Sequence, residues 1–173
     1  MRKLLFGTAL ILAALPASPA MPTGAKAPQI ATVGAVGGKP FKLDLQAQLK
    51  KGPVVLYFFP KAFTKGCTLE SRAFSEANPE FRRAGARVIG MSADDLPTLQ
   101  KFSADECRNA FAVATATPDI ISSYDVALKQ KAGLTDRTSY VISPSGRITM
   151  VHSDLDWSQH VAKTLAAVKA LRR

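Results

Sequence analysis

The chain has 173 residues, of which 47% are apolar and 21% charged. That balance suits a globular domain with a real core and excludes a disordered chain. The formal net charge is +10, but the cations are scattered and densest at the C-terminus. No interleaving of basic and aromatic residues marks a nucleic-acid surface, so the charge reads as a solvated basic exterior with weak attraction to anionic surfaces.

In chain order, Met1-Arg2-Lys3 is a short positive segment, and Leu4 to Pro16 is an apolar stretch too short to span a bilayer. Ser18-Pro19-Ala20 places small residues where a signal peptidase reads, so residues 1–20 are expected to be a signal peptide cleaved after Ala20. An uncleaved N-terminal anchor is the competing reading. Residues 21–173 are then expected to form one exported, periplasmic domain with no stable membrane insertion.

Met21 to Gln29 reads as a leader lying over that domain. Ile30–Val33 and Phe41–Leu45 are strand-like, and Gly37-Gly38-Lys39-Pro40 between them signals a hairpin. Pro53 to Phe59 is an unbroken β-branched and aromatic run, the pattern of a central strand buried on both faces. A helix from Thr64 or Cys67 is expected to kink or restart at Pro79 and to close at Gly85. Arg87–Ser92 is the next strand. Leu96 to about Cys107 follows as a helix capped by Asp94 or Asp95. Phe111–Ala114 predicts a strand and Asp119–Tyr124 a short helix. Ser139–Ile142 and Arg147–Val151 flank the turn Ser143-Pro144-Ser145-Gly146. A last helix over Trp157–Leu171 places Trp157, Val161, Leu165, Val168 and Leu171 on one face. Parallel strands with crossover helices and a final antiparallel hairpin describe an α/β fold, a central mixed sheet flanked by helices with an N-terminal β-hairpin extension.

The chemistry gathers around Cys67, one of only two cysteines. In an exported chain Cys67 and Cys107 are candidates for a plain structural disulfide, which in the chain-entropy picture stabilises by about 4 kcal/mol for a loop of about 40 residues. The surroundings of Cys67 favour a second role. It follows a buried strand and opens a helix, where free N–H groups and the helix dipole favour a thiolate, and Lys61 and Lys65 flank it. Pro60, Thr64 and Cys67 are spaced P-x-x-x-T-x-x-C. With Thr64 at the N-cap, Cys67 falls at N3, and the Thr64 hydroxyl comes close to the sulfur. Pro60 ends the strand and shields the sulfur, and Gly66 allows close backbone approach. His152 and His160, the only histidines, are not spaced with the cysteines for a metal site, and no nucleotide or phosphate motif occurs, so no metal or organic cofactor is expected.

The segment Tyr-Phe-Phe-Pro-Lys-Ala-Phe-Thr-Lys-Gly-Cys-Thr-Leu-Glu, residues 57–70, resembles the active-site segment of peroxiredoxins, closest to the bacterioferritin-comigratory or PrxQ subgroup. The likeness extends over most of residues 27–171, through Val-Ile-Gly-Met-Ser at 88–92 and Arg-Thr-Ser-Tyr-Val-Ile-Ser at 137–143. The resemblance implies a thioredoxin-like fold and a thiol peroxidase. It implies Cys67 as the peroxidatic cysteine, Thr64 and Pro60 shaping its pocket, Arg137 stabilising thiolate and peroxide oxygens, and Glu70 orienting Arg137. It further implies a peroxide substrate, a thioredoxin-like dithiol reductant and an often monomeric protein, with a dimer as the alternative. The subgroup's usual resolving cysteine falls here on Arg72. Its other location is the next long helix, where Ser103 aligns and Cys107 follows one turn later, so Cys107 is the candidate resolving cysteine. A thiol–disulfide oxidoreductase on the same fold is the rival, disfavoured because Glu70 stands where a Cys-x-x-Cys pair would need its second thiol. A non-enzymatic domain with a fixed Cys67–Cys107 bridge is the third reading.

Overall fold

The computed structural model describes residues 20–171. The expected signal segment therefore lies outside the described residues except for Ala20. One sheet of 7 strands organises the molecule, in the order β2-β1-β5-β4-β3-β6-β7. The strands are β1 Ala31–Val36, β2 Lys39–Asp44, β3 Val54–Phe58, β4 Arg87–Ser92, β5 Ala112–Thr115, β6 Thr138–Ile142 and β7 Ile148–Ser153. The helices are α1 Leu45–Leu49, α2 Lys65–Arg83, α3 Leu96–Asp105, α4 Pro118–Ser123 and α5 His160–Ala170, with a single 3₁₀ turn at Trp157–Gln159 before α5.

β3, β4 and β5 are parallel, while β6 and β7 on one side and β1 and β2 on the other run antiparallel. The β1–β2 turn places Gly37 at φ 56° and Gly38 at φ 76°. Two successive positive φ values are what a tight two-residue hairpin turn requires. The leader lies along the start of β7, where Gly24 N–H donates to the Ile148 carbonyl at 2.8 Å and Ile148 N–H to Ala25 at 2.9 Å.

β3 is buried at all of its positions, as its uninterrupted apolar run demands. Its side chains alternate between two cores. Val54, Leu56 and Phe58 face one that includes Leu45, Leu49 and Tyr124. Val55 and Tyr57 face the other, beneath α2, α3 and α5, which also contains Phe59 and both cysteines.

α2 does not restart at Pro79. It ends in a Schellman turn, with Gly85 N–H bonded to the Arg82 carbonyl at 2.9 Å and Ala86 N–H to Phe81 at 2.9 Å. Gly85 sits at φ 78° there, a conformation its missing Cβ permits. α3 stops at Asp105, so Cys107 lies in the turn beyond it and not on the helix. α1 was not anticipated; Asp44 starts it by accepting from Ala47 N–H at 3.2 Å. The expected C-terminal helix divides at His160; Val168 of its expected apolar face is fully buried and Val161 and Leu165 pack half-buried on the core, but His160 and Thr164 share the deepest stripe and Leu171 is exposed. No described helix is long and apolar enough to cross a membrane.

Candidate active site

The buried stripe of α2 reads Cys67, Glu70, Ser71, Phe74, Asn78, Phe81. Its C-terminal half is ordinary core, but its first turns bury a thiol, a carboxyl and a hydroxyl. Thr64 is the N-cap residue, which places Cys67 in the first turn, 1% exposed. There its sulfur lies where the unpaired N–H groups of a helix end favour negative charge.

The facing cation arrives through sheet register. Antiparallel pairing of β3 with β6 sets Phe58 opposite Thr138. Arg137, one residue earlier, thus stands at the mouth of the β3-to-α2 loop. Its guanidinium is 5% exposed and committed on three sides. Nη2 is 3.5 Å from the Cys67 sulfur, Nη1 donates to Glu70 Oε2, and Nε donates to the Leu155 carbonyl at 2.8 Å. Gly66 leaves room for this: a Cβ there would lie 3.2 Å from Arg137 Nη2.

The side-chain cap bond expected of Thr64 is not formed. The Thr64 hydroxyl donates to the Lys61 carbonyl at 2.8 Å and makes no side-chain cap bond, because this hydrogen bond closes the loop on itself. The same loop holds Phe63 at φ 63°, a left-handed conformation unusual for a bulky residue. Asp94, which the sequence pattern marked only as a cap candidate, fixes the loop from below: its Oδ2 accepts from Ala62 N–H at 2.7 Å and from Ser92 Oγ at 2.7 Å. Asp95 is the residue that caps α3. Pro60 stands half-buried between β3 and this loop.

Cys107 lies in the same core as Cys67, fully buried and unbonded, as is Cys67. Burial holds its thiol well above the usual range, with a partial offset from the Ser71 hydroxyl. Four contacts bind its turn to α2. Ser75 Oγ donates to the Cys107 carbonyl at 2.8 Å and Asn78 Nδ2 to Ala110 at 2.7 Å. Arg72 pairs with Glu106 at 2.8 Å, and Arg108 with Glu76 at 3.5 Å. The chain then turns through two successive left-handed residues, Arg108 at φ 49° and Asn109 at φ 58°.

Burial raises Glu70 from an ordinary value of 4.5 to about 8, against the pull of Arg137. Between those values the folded chain keeps a proton that the unfolded chain has released. This carboxyl's contribution to stability is therefore complete below about 4.5 and is lost as pH rises through about 8. Urea midpoints should fall as pH climbs across that window, and Glu70→Gln should flatten the fall; an unchanged slope in the variant would assign the dependence elsewhere.

His160 and Ser139 are buried polar residues to which the spacing argument gave no role at this site. Neither carries a motif, and only the fold brings them together beside Glu70.

A reactive-thiol oxidoreductase on a thioredoxin-like sheet is what this arrangement defines. The sequence model of the AhpC/TSA family matches residues 23–151. The chain is 31% identical over 126 residues to Peroxiredoxin Bcp of Xanthomonas campestris, covering 68% of this chain and 76% of that one. It is 30% identical over 148 residues to the chloroplastic Peroxiredoxin Q of Populus jackii, covering 84% and 68%. Among solved structures, peroxidoxin BcpB from Mycobacterium tuberculosis superposes with a TM-score of 0.79 at 29% identity, over 88% of this chain and 99% of that one. Peroxiredoxin Q of Xanthomonas campestris superposes at 0.71 with 28% identity, over 82% and 91%. The chain belongs to the AhpC/TSA family and is a peroxiredoxin, a thiol-dependent peroxidase.

Proposed function

We propose that Cys67 attacks hydrogen peroxide or an organic hydroperoxide, and that Cys107 resolves the product. The observation that carries this reading is the Arg137 guanidinium, 3.5 Å from a buried sulfur in the first turn of α2. The thiolate attacks one peroxide oxygen and the O–O bond breaks. Sulfur becomes a sulfenic acid, and the departing oxygen takes up a proton to leave as water or an alcohol. The guanidinium holds negative charge first on sulfur and then on the oxygens, at no reorganisation cost.

The Cys107 thiol then condenses with the sulfenic acid, forming the disulfide and releasing water. A dithiol protein of the thioredoxin kind returns two electrons and two protons. A thiol buried and held protonated cannot attack in place, so resolution requires the turn after α3 and the first turn of α2 to open together. The left-handed pair Arg108-Asn109 favours that opening, since such residues cost of order 1–3 kcal/mol each.

Reduced protein treated with one equivalent of peroxide should lose both thiols rapidly. Cys107→Ser should keep this first reaction, stop with one oxygen added at Cys67, and lose sustained turnover with a dithiol by about a hundredfold or more. Normal multiple turnover in Cys107→Ser would remove the resolving role.

The protein acts, on this reading, as an exported monomer without metal or organic cofactor. Met21 packs against the core and its N–H donates to the Tyr140 hydroxyl at 3.2 Å, contacts that a chain beginning at Met21 retains. A mature N-terminus at Met21 in the envelope fraction is the expected finding; a full-length cytosolic product would refute export.

A further inference from the structure

Two buried side-chain atoms among the described residues have no hydrogen-bond partner, Glu70 Oε1 and His152 Nε2. Both belong to side chains that border His160. The His152 and His160 rings lie 4.5 Å apart, and Glu70 Oε1 is 3.7 Å from His160 Nδ1. His160 is itself fully buried, at the first position of α5.

The protonation of this cluster follows from its partners. His160 Nε2 lies 2.9 Å from the Asp154 carbonyl oxygen, which can only accept, so Nε2 carries the ring proton. In the neutral ring Nδ1 is then an acceptor, and the Ser139 hydroxyl at 2.8 Å donates to it. Burial pushes His160 down to about 4, which keeps the ring neutral. Glu70 Oε1 therefore faces, at 3.7 Å, an electron-rich nitrogen whose one lone pair is already taken by the Ser139 hydroxyl. No donor meets the oxygen there, so an ionised carboxylate is repelled where a protonated one is not.

Charge counting leads to the same state. One guanidinium, Arg137, touches both Glu70 and the Cys67 sulfur. Two buried anions sharing one cation leave a net buried charge, and groups so placed titrate as a coupled set. The remaining titratable groups around Glu70 are Tyr57 from β3 and Cys67 on its own helix. Around His160 they are His152 from β7, with Lys163 at 3.3 Å from it, together with Asp154, Asp156 and Arg137. None places a second cation against Glu70.

We propose that His160 is a positioning residue for the peroxide reaction: with Ser139 and the Asp154 carbonyl it holds Glu70 in its protonated form, so that the charge of Arg137 goes undivided to Cys67. This rests on Cys67 being the attacking sulfur. It extends the site one layer beyond Arg137, to a helix that does not touch the reacting atoms.

The rate constant of the reduced protein with hydrogen peroxide should be measured across pH for wild type, His160→Gln and His160→Asn, each checked for folding by circular dichroism. Gln retains a donor for the Asp154 carbonyl but puts no acceptor beside Glu70. Its half-maximal pH should rise by about one unit, a roughly tenfold slower reaction on the acid limb. Asn places an amide oxygen near the Nδ1 position and should restore the profile. In a Glu70→Gln background, where no carboxylate can form, His160→Gln should produce no further shift. An equal shift in both backgrounds, or none in either, would overturn the proposal. A measurement on the unmutated protein covers variants that do not fold: ring-nitrogen NMR should show a neutral Nε2–H tautomer near neutral pH, and an imidazolium there would equally overturn it. Failure of the underlying reading looks different, since Cys67 would then stay unmodified by peroxide while the NMR result stands.

Discussion

Cys67→Ser should bring peroxide consumption down to the rate of buffer and reductant alone, a loss of at least about a thousandfold. The exchange of sulfur for oxygen is nearly isosteric at a site 1% exposed, so the fold should survive with a penalty of about 1–2 kcal/mol for the buried hydroxyl. The serine would lack any means of activation. The one histidine in the neighbourhood has both ring nitrogens engaged, by Ser139 and by the Asp154 carbonyl, and no other base reaches the first turn of α2 among the described contacts. Consumption assays with a dithiol reductant, alongside thermal unfolding, would check both halves. Substantial residual turnover in a folded Cys67→Ser protein would transfer the attack to Cys107.

Arg137→Lys should slow the single-turnover reaction with peroxide by about 10²- to 10³-fold, the range found when a preorganised charge-stabilising donor is removed. The substitution keeps the charge and loses the fork. Arg137 serves the sulfur, Glu70 and the Leu155 carbonyl from three separate nitrogens, and one ammonium on a flexible stem cannot hold those directions together. Arg137→Met should be slower still and less stable by about 1–3 kcal/mol, because the buried Glu70 carboxyl and the Leu155 carbonyl would lose their donor. Stopped-flow rates for the reduced variants decide the matter. A change within about threefold for Lys would mean that charge alone suffices and the fork is incidental.

Much of this was legible in the residues. The P-x-x-x-T-x-x-C spacing and the apolar run before it located the strand and the helix start, because each is a local signal, whereas Arg137 stood out only through the resemblance to peroxiredoxins. Their juxtaposition is not local, and depends on the β3–β6 register. The turn of Thr64 toward Lys61 was invisible because two hydrogen-bond partners of similar quality were open to that hydroxyl. α5 was read only in part for a plainer reason: its buried stripe carries His160 and Thr164 beside Val168, so a hydropathy pattern leaves two of its fully buried residues unmarked. Cys107 read as the last turn of a helix, yet α3 ends at Asp105 and the chain leaves it through left-handed residues no pattern marks.

The fastening of the Cys107 turn to α2 has a consequence for motion. Arg72–Glu106, Ser75 to Cys107, Glu76–Arg108 and Asn78 to Ala110 join successive turns of one helix to successive residues of one loop. The part-buried bonds from Ser75 and Asn78 leave unpaired carbonyls behind if either segment peels away singly, so the two segments open as a single cooperative unit. Amide protons of residues 72–78 of α2 and of residues 106–110 should accordingly exchange with solvent at one shared rate, slower than the exposed loops and faster than β3. The time this unit spends open, and not the chemistry at sulfur, would then govern how long the oxidised cysteine waits for its partner.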